Sequence, residues 1–158
     1  MKPHDLIQNR SLKTSAVDFG FESYIDSSEI IVRKGGTLEA NRSAVRTKTD
    51  VLLDPVSAQD KAFDTAVAQL ALDNDIAVAF SVKSVRSVYG LDRVRLIRNM
   101  CFAMEICKKM RNNILIVSDA STVYELKDAT ILASFGQLLG LSKPQSLWSV
   151  SEAYEGLL

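Results

Sequence analysis

Histidine is nearly absent from this chain. The one residue of that type, His4, stands next to the start. A metal site built from several histidines, or a Ser-His or Cys-His dyad set deep in a fold, therefore has almost no material to draw on. Cysteine is scarce as well. Cys101 and Cys107 lie six apart in a segment of helical periodicity, about 600° round the axis and not opposed for bonding, so both are expected as reduced core thiols. No apolar run approaches the roughly 18 residues that a membrane span requires, and no basic-then-apolar leader opens the chain. A soluble, cytoplasmic protein that keeps away from membranes is expected.

Net charge is also missing, with 19 basic and 19 acidic side chains in 158 residues, but the charge is unevenly placed. Residues 81–111 hold Lys83, Arg86, Arg93, Arg95, Arg98, Lys108, Lys109 and Arg111 against Asp92 and Glu105, a net of +6. The remainder balances it at −6, with 9 basic and 12 acidic residues before position 81 and 2 and 5 after position 111. A neutral protein with one cationic segment is suited to meeting a polyanion without coating every surface. The length and a hydrophobic content of 47% fit one globular domain over residues 1–158.

Strand and helix signals alternate along the chain. After a polar break at Asp26-Ser27-Ser28, Glu29 to Arg33 reads as a strand closed by Lys34-Gly35-Gly36, and Thr37 caps a helix through Arg46. Val51 to Leu53 is a strand ended by Asp54-Pro55. Ser57 to Asp73 reads as a helix with Phe63, Val67, Leu70 and Ala71 on one face. Ile76 to Val82 is apolar enough for a strand buried on both faces. Leu91 to Met110 is a long helix, Ile114 to Val117 a buried strand, and Ser118 to Ser121 a polar turn. Helices are expected from Thr122 to Leu139 and from Lys143 to Tyr154. Before residue 28 the signals are a strand at Asp5 to Gln8, a helix at Leu12 to Gly20 and a strand at Phe21 to Ile25. Repeated βα units imply an α/β fold of parallel strands covered by helices, either a doubly wound sheet or a shortened, incomplete TIM-like (β/α) barrel. A complete eight-fold barrel takes about 250 residues.

In either architecture the working loops leave the carboxyl ends of the strands. Lys34-Gly35-Gly36-Thr37 can offer a lysine and backbone N–H groups to a phosphate at a helix N-terminus, or be no more than a tight turn. Asp54 and Asp119, at neighbouring strand ends, can bind Mg²⁺ or share acid and base work, or serve as turn and capping residues. On the long helix, with Val94 set at 0°, Ile97, Met100, Cys101, Met104 and Cys107 fall between about 220° and 340° as the core stripe. Arg98, Lys109 and Arg95 fall between about 40° and 100°, with Phe102 at about 80° among them. This basic stripe with an aromatic in it suits phosphate contacts and base stacking, and a solvated face remains the plain alternative. Ala44, Phe63, Val67, Met100 and Met104 are expected in the core. Trp148 packs on the body of the domain or faces a partner.

Four ordered blocks carry a family resemblance. They are Ile31 to Arg42 (IVRKGGTLEANR), Asp50 to Pro55 (DVLLDP), the strand Ile76 to Ser81, and Ile114 to Leu141 (ILIVSDASTVYELKDATILASFGQLLGL). In order and spacing the chain resembles ribonuclease P protein component 3, the archaeal counterpart of the eukaryotic thirty-kilodalton subunit. The resemblance implies a TIM-like barrel and a non-catalytic subunit of the ribonucleoprotein that removes the 5′ leader from precursor tRNA. It implies as partners the ribonuclease P RNA, precursor tRNA and other protein subunits, among them a small α/β protein with which it forms a possible heterotetramer. Chemistry then belongs to the RNA and its Mg²⁺, with no cofactor bound by this chain. By position, Lys34, Arg42, Lys83, Arg86, Arg95 and Arg98, with Phe102 and Lys109 from the helix face, are the expected contacts with RNA or partner. The chain departs from the family in a much shorter N-terminal portion, in Asp119 where glycine is common, and in Lys127 where arginine is common. A small β/α-barrel hydrolase or isomerase using Asp54 and Asp119 on a phosphorylated substrate is the alternative from the residues alone.

Overall fold

Why the Lys34-Gly35-Gly36 turn takes the shape it does is explained by one side chain, Asn41. The computed structural model describes residues 2–26 and 28–158, so Ser27 of the expected polar break lies outside the described residues. Asn41 stands on helix α1 (Leu38–Arg46), which follows strand β3 (Val32–Lys34) and precedes β4 (Val51–Leu53). It is fully buried. Its amide donates to the carbonyls of Pro55 and Ala62, each at 2.7 Å, while its Oδ1 accepts from Gly36 N–H at 3.3 Å. A Cβ on Gly35 would run into Asn41 Oδ1 and come within 2.9 Å of Pro55 Cα, and Gly36 sits at φ +111°. Both glycines are therefore required by what they touch or by the conformation they hold.

The same side chain delays the next helix. Ser57 to Asp64 is irregular, because the Ala62 carbonyl is held by Asn41 and Ala62 is left-handed at φ 48°. Helix α2 (Thr65–Asp73) starts only where Asp64 accepts from Val67 N–H at 2.8 Å. The expected helix from Ser57 is thus too long by about two turns, although Phe63 is buried as expected.

Strand β5 (Ala77–Ser81) runs straight into a short helix α3 (Val82–Arg86), capped by Ser81, where the sequence suggests strand and then loop. Then come α4 (Gly90–Met110), β6 (Ile114–Val117), α5 (Ala129–Leu138) and α6 (Lys143–Ser149). The expected helix from Thr122 is instead a 3₁₀ turn at Val123–Glu125 followed by α5, because Asp128 caps at Ile131 N–H. The terminal helix likewise stops at Ser149, with a 3₁₀ turn at Glu152–Tyr154. At the other end, β1 (His4–Ile7) and β2 (Ser23–Asp26) occupy the two expected strand positions, joined by 3₁₀ turns where a helix is expected. Strand β3 begins at Val32 rather than Glu29 because Asp50 captures the Ile31 N–H at 2.6 Å outside the ladder.

All strands are parallel. One sheet has the order β3-β4-β5-β6, and β1 pairs with β2. Ile7 and Ala120 form the bridge between the two pieces, reinforced by Asp119 N–H to Leu6 O at 3.1 Å and Gln8 N–H to Ala120 O at 2.8 Å. The six strands thus follow one another as β2-β1-β6-β5-β4-β3, and among the described residues no ladder joins β2 to β3. The expected incomplete TIM-like barrel is the observed fold. Its inner faces form one apolar cluster to which all six strands contribute, including Leu6, Ile25, Val32, Leu53, Ala79 and Val117. Tyr154 plugs the amino-terminal end of the strands and is fully buried, with Asn113 Nδ2 bonded to Ala153 O at 2.9 Å. A second cluster lies between the sheet's outer face and the helices, and Ala44, Val67, Met100, Met104 and Cys107 are buried in it. Cys107 and the half-buried Cys101 are free thiols, as expected.

Replacing Asn41 with alanine would strand two carbonyls and one N–H in a dry core, where each orphaned group costs about 1–3 kcal/mol. Urea titration of Asn41→Ala is expected to show a loss of roughly 3 kcal/mol or more, and Gly35→Ala a loss of roughly 1–3 kcal/mol from overpacking. Wild-type stability in both would contradict this role for Asn41.

Candidate RNA and partner interface

Three aspartates are buried along the strands, Asp54 and Asp119 just past the carboxyl ends of β4 and β6 and Asp5 inside β1. Asp54, just after β4, accepts from Ser81 N–H at 2.8 Å and Ser81 Oγ at 2.7 Å, with Ser84 Oγ at 3.4 Å. Asp5, on β1, accepts in the same way from Ser118 N–H at 2.7 Å and from Ser118 Oγ. Each carboxylate therefore ties its own strand to a serine ending the neighbouring one. Asp119 accepts from Gln8 Nε2 at 2.9 Å and is left-handed at φ 55°, a conformation that glycine takes without cost. Burial raises the pKa of Asp5 to about 7 and of Asp54 to about 6, and it raises that of Asp119 as well. The hydrogen bonds from serine and glutamine oppose these shifts, and Asp119 pushes Asp5 and Asp54 further up.

Lys34 ends β3 and, with Asp119, Gln8, Leu6, Ile7, Val32 and Leu53, lines a cavity of about 360 Å³. The sequence-based grouping of Lys34, Asp54 and Asp119 is thus a real proximity, since the lysine's charge acts on both aspartates. Asp5, on which the charge of Asp119 acts, escapes the sequence reading because it stands inside an expected strand and not in the loop that follows one. Among the described residues no three His, Cys, Asp or Glu side chains are arranged to hold a metal ion.

The cations selected from sequence fall on two surfaces, except Arg42. Lys34, Lys83 and Arg86 sit at the strand ends. Lys83 is half-buried, paired with Glu125 at 3.4 Å and bonded to Ser121 Oγ, so it fastens α3 to the loop after β6. Arg86 is exposed, and its charge adds to burial in lowering the pKa of Lys127, whose ammonium is held by the carbonyls of Leu126 and Glu125. Arg95, Arg98, Phe102 and Lys109 lie on the outer face of α4. Arg95 pairs with Asp92 at 3.3 Å, and the Phe102 ring carries Lys61 Nζ at 4.5 Å from its centroid. Arg42 stands apart on α1, paired with Asp64 at 3.8 Å.

The buried stripe of α4 is turned from the expected one. Leu96, Asn99 and Ala103 join Met100, Met104 and Cys107 inside, while Ile97 and Cys101 are only half-buried. Asn99 is drawn in by its bond to Ser57 O at 2.8 Å. Two aromatics at the strand ends also escape the sequence reading: Tyr124, in the turn after β6, and Tyr89, ahead of α4, are almost wholly exposed. The Tyr89 ring lies 5.1 Å from the Arg93 guanidinium. A loop position at a strand's carboxyl end is the available signal for both. Trp148 is half-exposed rather than packed away.

The raised pKa of Asp5 and Asp54 makes stability depend on pH. The folded state binds these protons more tightly than the unfolded chain, so their contribution is complete below about pH 4 and is lost as pH rises through about 6 for Asp54 and about 7 for Asp5. In Asp5→Asn the Asp5 component disappears. Thermal midpoints measured from pH 5 to 8 are expected to fall less steeply in this variant than in wild type, and parallel curves would refute the assignment.

Comparison with known proteins bears on these surfaces. A family model described as RNase P subunit p30 matches residues 11–158. Ribonuclease P protein component 3 of Methanosarcina barkeri is 22% identical over 133 residues, covering 84% of this chain and 56% of that protein. The Thermococcus gammatolerans protein of the same name is 28% identical over 119 residues, covering 75% of this chain and 56% of the relative. The chain thus spans a little over half the length of these curated relatives. Among solved structures, a chain from the cryo-EM structure of archaeal ribonuclease P with mature tRNA matches at a TM-score of 0.70 and 23% identity, covering 98% of this chain and 65% of that one. A crystal structure of an amidohydrolase matches at a TM-score of 0.62 and 14% identity, covering 94% of this chain and 35% of its own. Both likenesses are of fold.

Proposed function

The chain belongs to the RNase P subunit p30 family, and from that premise we propose that it is a non-catalytic protein subunit of ribonuclease P. In this reading it supports the RNA that cleaves the 5′ leader from precursor tRNA. The observation that carries the reading is the match along residues 11–158. The charge distribution supports it, because a neutral chain that concentrates +6 on one segment is built to meet a polyanion. The Asp5 and Asp54 carboxylates support it too, since both oxygens of each are committed to serine N–H and hydroxyl groups. Phosphodiester cleavage then rests with the RNA and its Mg²⁺, and this chain binds no cofactor of its own.

Lys34, Arg42, Lys83, Arg86, Arg95, Arg98, Phe102 and Lys109 are the proposed contacts with RNA or with a neighbouring subunit. A small α/β protein is the proposed direct partner, in a heterotetramer, with residues 1–158 acting as one domain in the cytoplasm. No helix among the described residues is long and apolar enough to cross a membrane.

A second reading draws on one observation, the meeting of Lys34 and Asp119 on a cavity where β/α-barrel enzymes carry their chemistry, with Asp54 near enough to feel both charges. It is a phosphate-processing hydrolase or isomerase. RNA-free chain that turned over phosphorylated substrates, and lost that activity in Asp119→Asn, would favour it.

The main reading is tested in a reconstituted ribonuclease P that cleaves precursor tRNA. Lys34→Ala with Arg86→Ala, both exposed positions, is expected to slow cleavage at limiting protein. It should also make the salt dependence shallower, by about one unit of log–log slope for each phosphate that is no longer neutralised. An unchanged rate and slope in a folded variant would count against the strand-end surface as an RNA contact.

A further inference from the structure

The outer faces of α4 and α5 differ in kind from the rest of the cationic segment. The two helices lie side by side, with Cys101 Sγ 3.8 Å from Leu138 O. Each follows a parallel strand of one sheet, so they run the same way, and seven residues earlier Val94 on α4 and Ile131 on α5 stand level again, about 10 Å nearer the strand ends. On this surface Leu91 is 72% exposed, Val94 63%, Leu138 61% and Ile131 47%. No residue of α5 carries a charge, and its other exposed positions, Thr130, Ser134 and Gln137, are neutral. The charged neighbours of the patch on α4 are Arg95, paired with Asp92, Glu105, paired with Lys108 beside Gly140, and Arg98, which makes no ion pair among the described residues.

Four large aliphatic side chains, exposed together on two neighbouring helices, form an apolar patch of the sort that marks an interaction site. Nucleic acid does not answer to it. Phosphates pair with Arg95 and Arg98, and bases stack on rings or guanidinium planes, but Leu91, Val94, Ile131 and Leu138 offer neither charge nor π-face. A protein surface does, since interface centres are apolar, low in lysine and carboxylate, and often edged by arginine. With Arg95 already paired to Asp92, Arg98 is the open charge at the edge, and its complement is a carboxylate.

We propose that the α4–α5 face docks a protein partner that presents an apolar patch edged by carboxylates, and that RNA is met elsewhere on the chain. The identity of that partner as another ribonuclease P subunit rests on the function proposed above.

The test uses the full chain, the other ribonuclease P proteins of the same organism as probes, and the ribonuclease P RNA alone. Leu91→Ser with Leu138→Ser changes only exposed positions, and circular dichroism confirms that the variant is folded. Its affinity for one protein subunit is expected to fall roughly tenfold or more, with RNA affinity unchanged. Arg98→Glu, a second and independent variant, is expected to weaken the same protein contact and to make its salt dependence shallower. Loss of RNA affinity with protein binding intact would overturn the inference in favour of RNA. Full binding of both probes by both variants would overturn it as well, while leaving the subunit reading standing. If wild-type chain bound neither the proteins nor the RNA, that reading and this inference would fall together.

Discussion

Two carboxylates buried at the ends of the strands govern what the rest of this molecule can be. Asp5 holds Ser118 and Asp54 holds Ser81, in each case through the serine N–H and hydroxyl. Asp5 matters most, because β1 and β2 meet the main sheet through little more than the Ile7–Ala120 bridge and its flanking hydrogen bonds. Without the Asp5 latch, β6 would have one weakly joined neighbour in place of a strand continuous with the barrel wall. Burial of these groups carries a cost, recorded in their raised pKa values, and the serine donors offset part of it.

That arrangement moves function outward. A β/α barrel normally keeps its reactive groups free at the strand ends, yet here two of the three acids there are consumed in joining strands. What remains available is charge and apolar surface: the exposed Lys34 and Arg86, the exposed Tyr89 and Tyr124, and the outer faces of α4 and α5. On the proposed reading, a chain that works by contact would use one cationic surface with rings for nucleic acid and one aliphatic surface with an arginine edge for protein.

Much of this is legible from residues, and the exceptions share a cause. Strands β4, β5 and β6 and helix α4 announce themselves because long apolar or periodic runs leave little choice. The apolar spacing places helix α2 too early because it reaches back to Phe63, whereas the fold lets Asn41 capture the Ala62 carbonyl from another element. Ser81 can be read as the end of a strand but not as a helix cap, since its partner Ser84 N–H competes only locally. Among the cations, residue type is visible and partnership is not: Lys83 and Arg86 look alike in sequence, but the first is tied to Glu125 and Ser121 as a fastening. The aliphatic face is hidden by a rotation of α4 that Asn99 fixes through a carbonyl 42 residues away.

A chain that joins RNA and protein within ribonuclease P, as proposed, must travel with both. The most direct measurement isolates the tagged chain from its own cells, before and after ribonuclease digestion, and identifies what accompanies it. Ribonuclease P RNA and precursor-tRNA cleavage are expected in the undigested sample, with at least one other ribonuclease P protein still attached after digestion. A chain recovered without that RNA and without those proteins, and active by itself on phosphorylated small molecules, would contradict it.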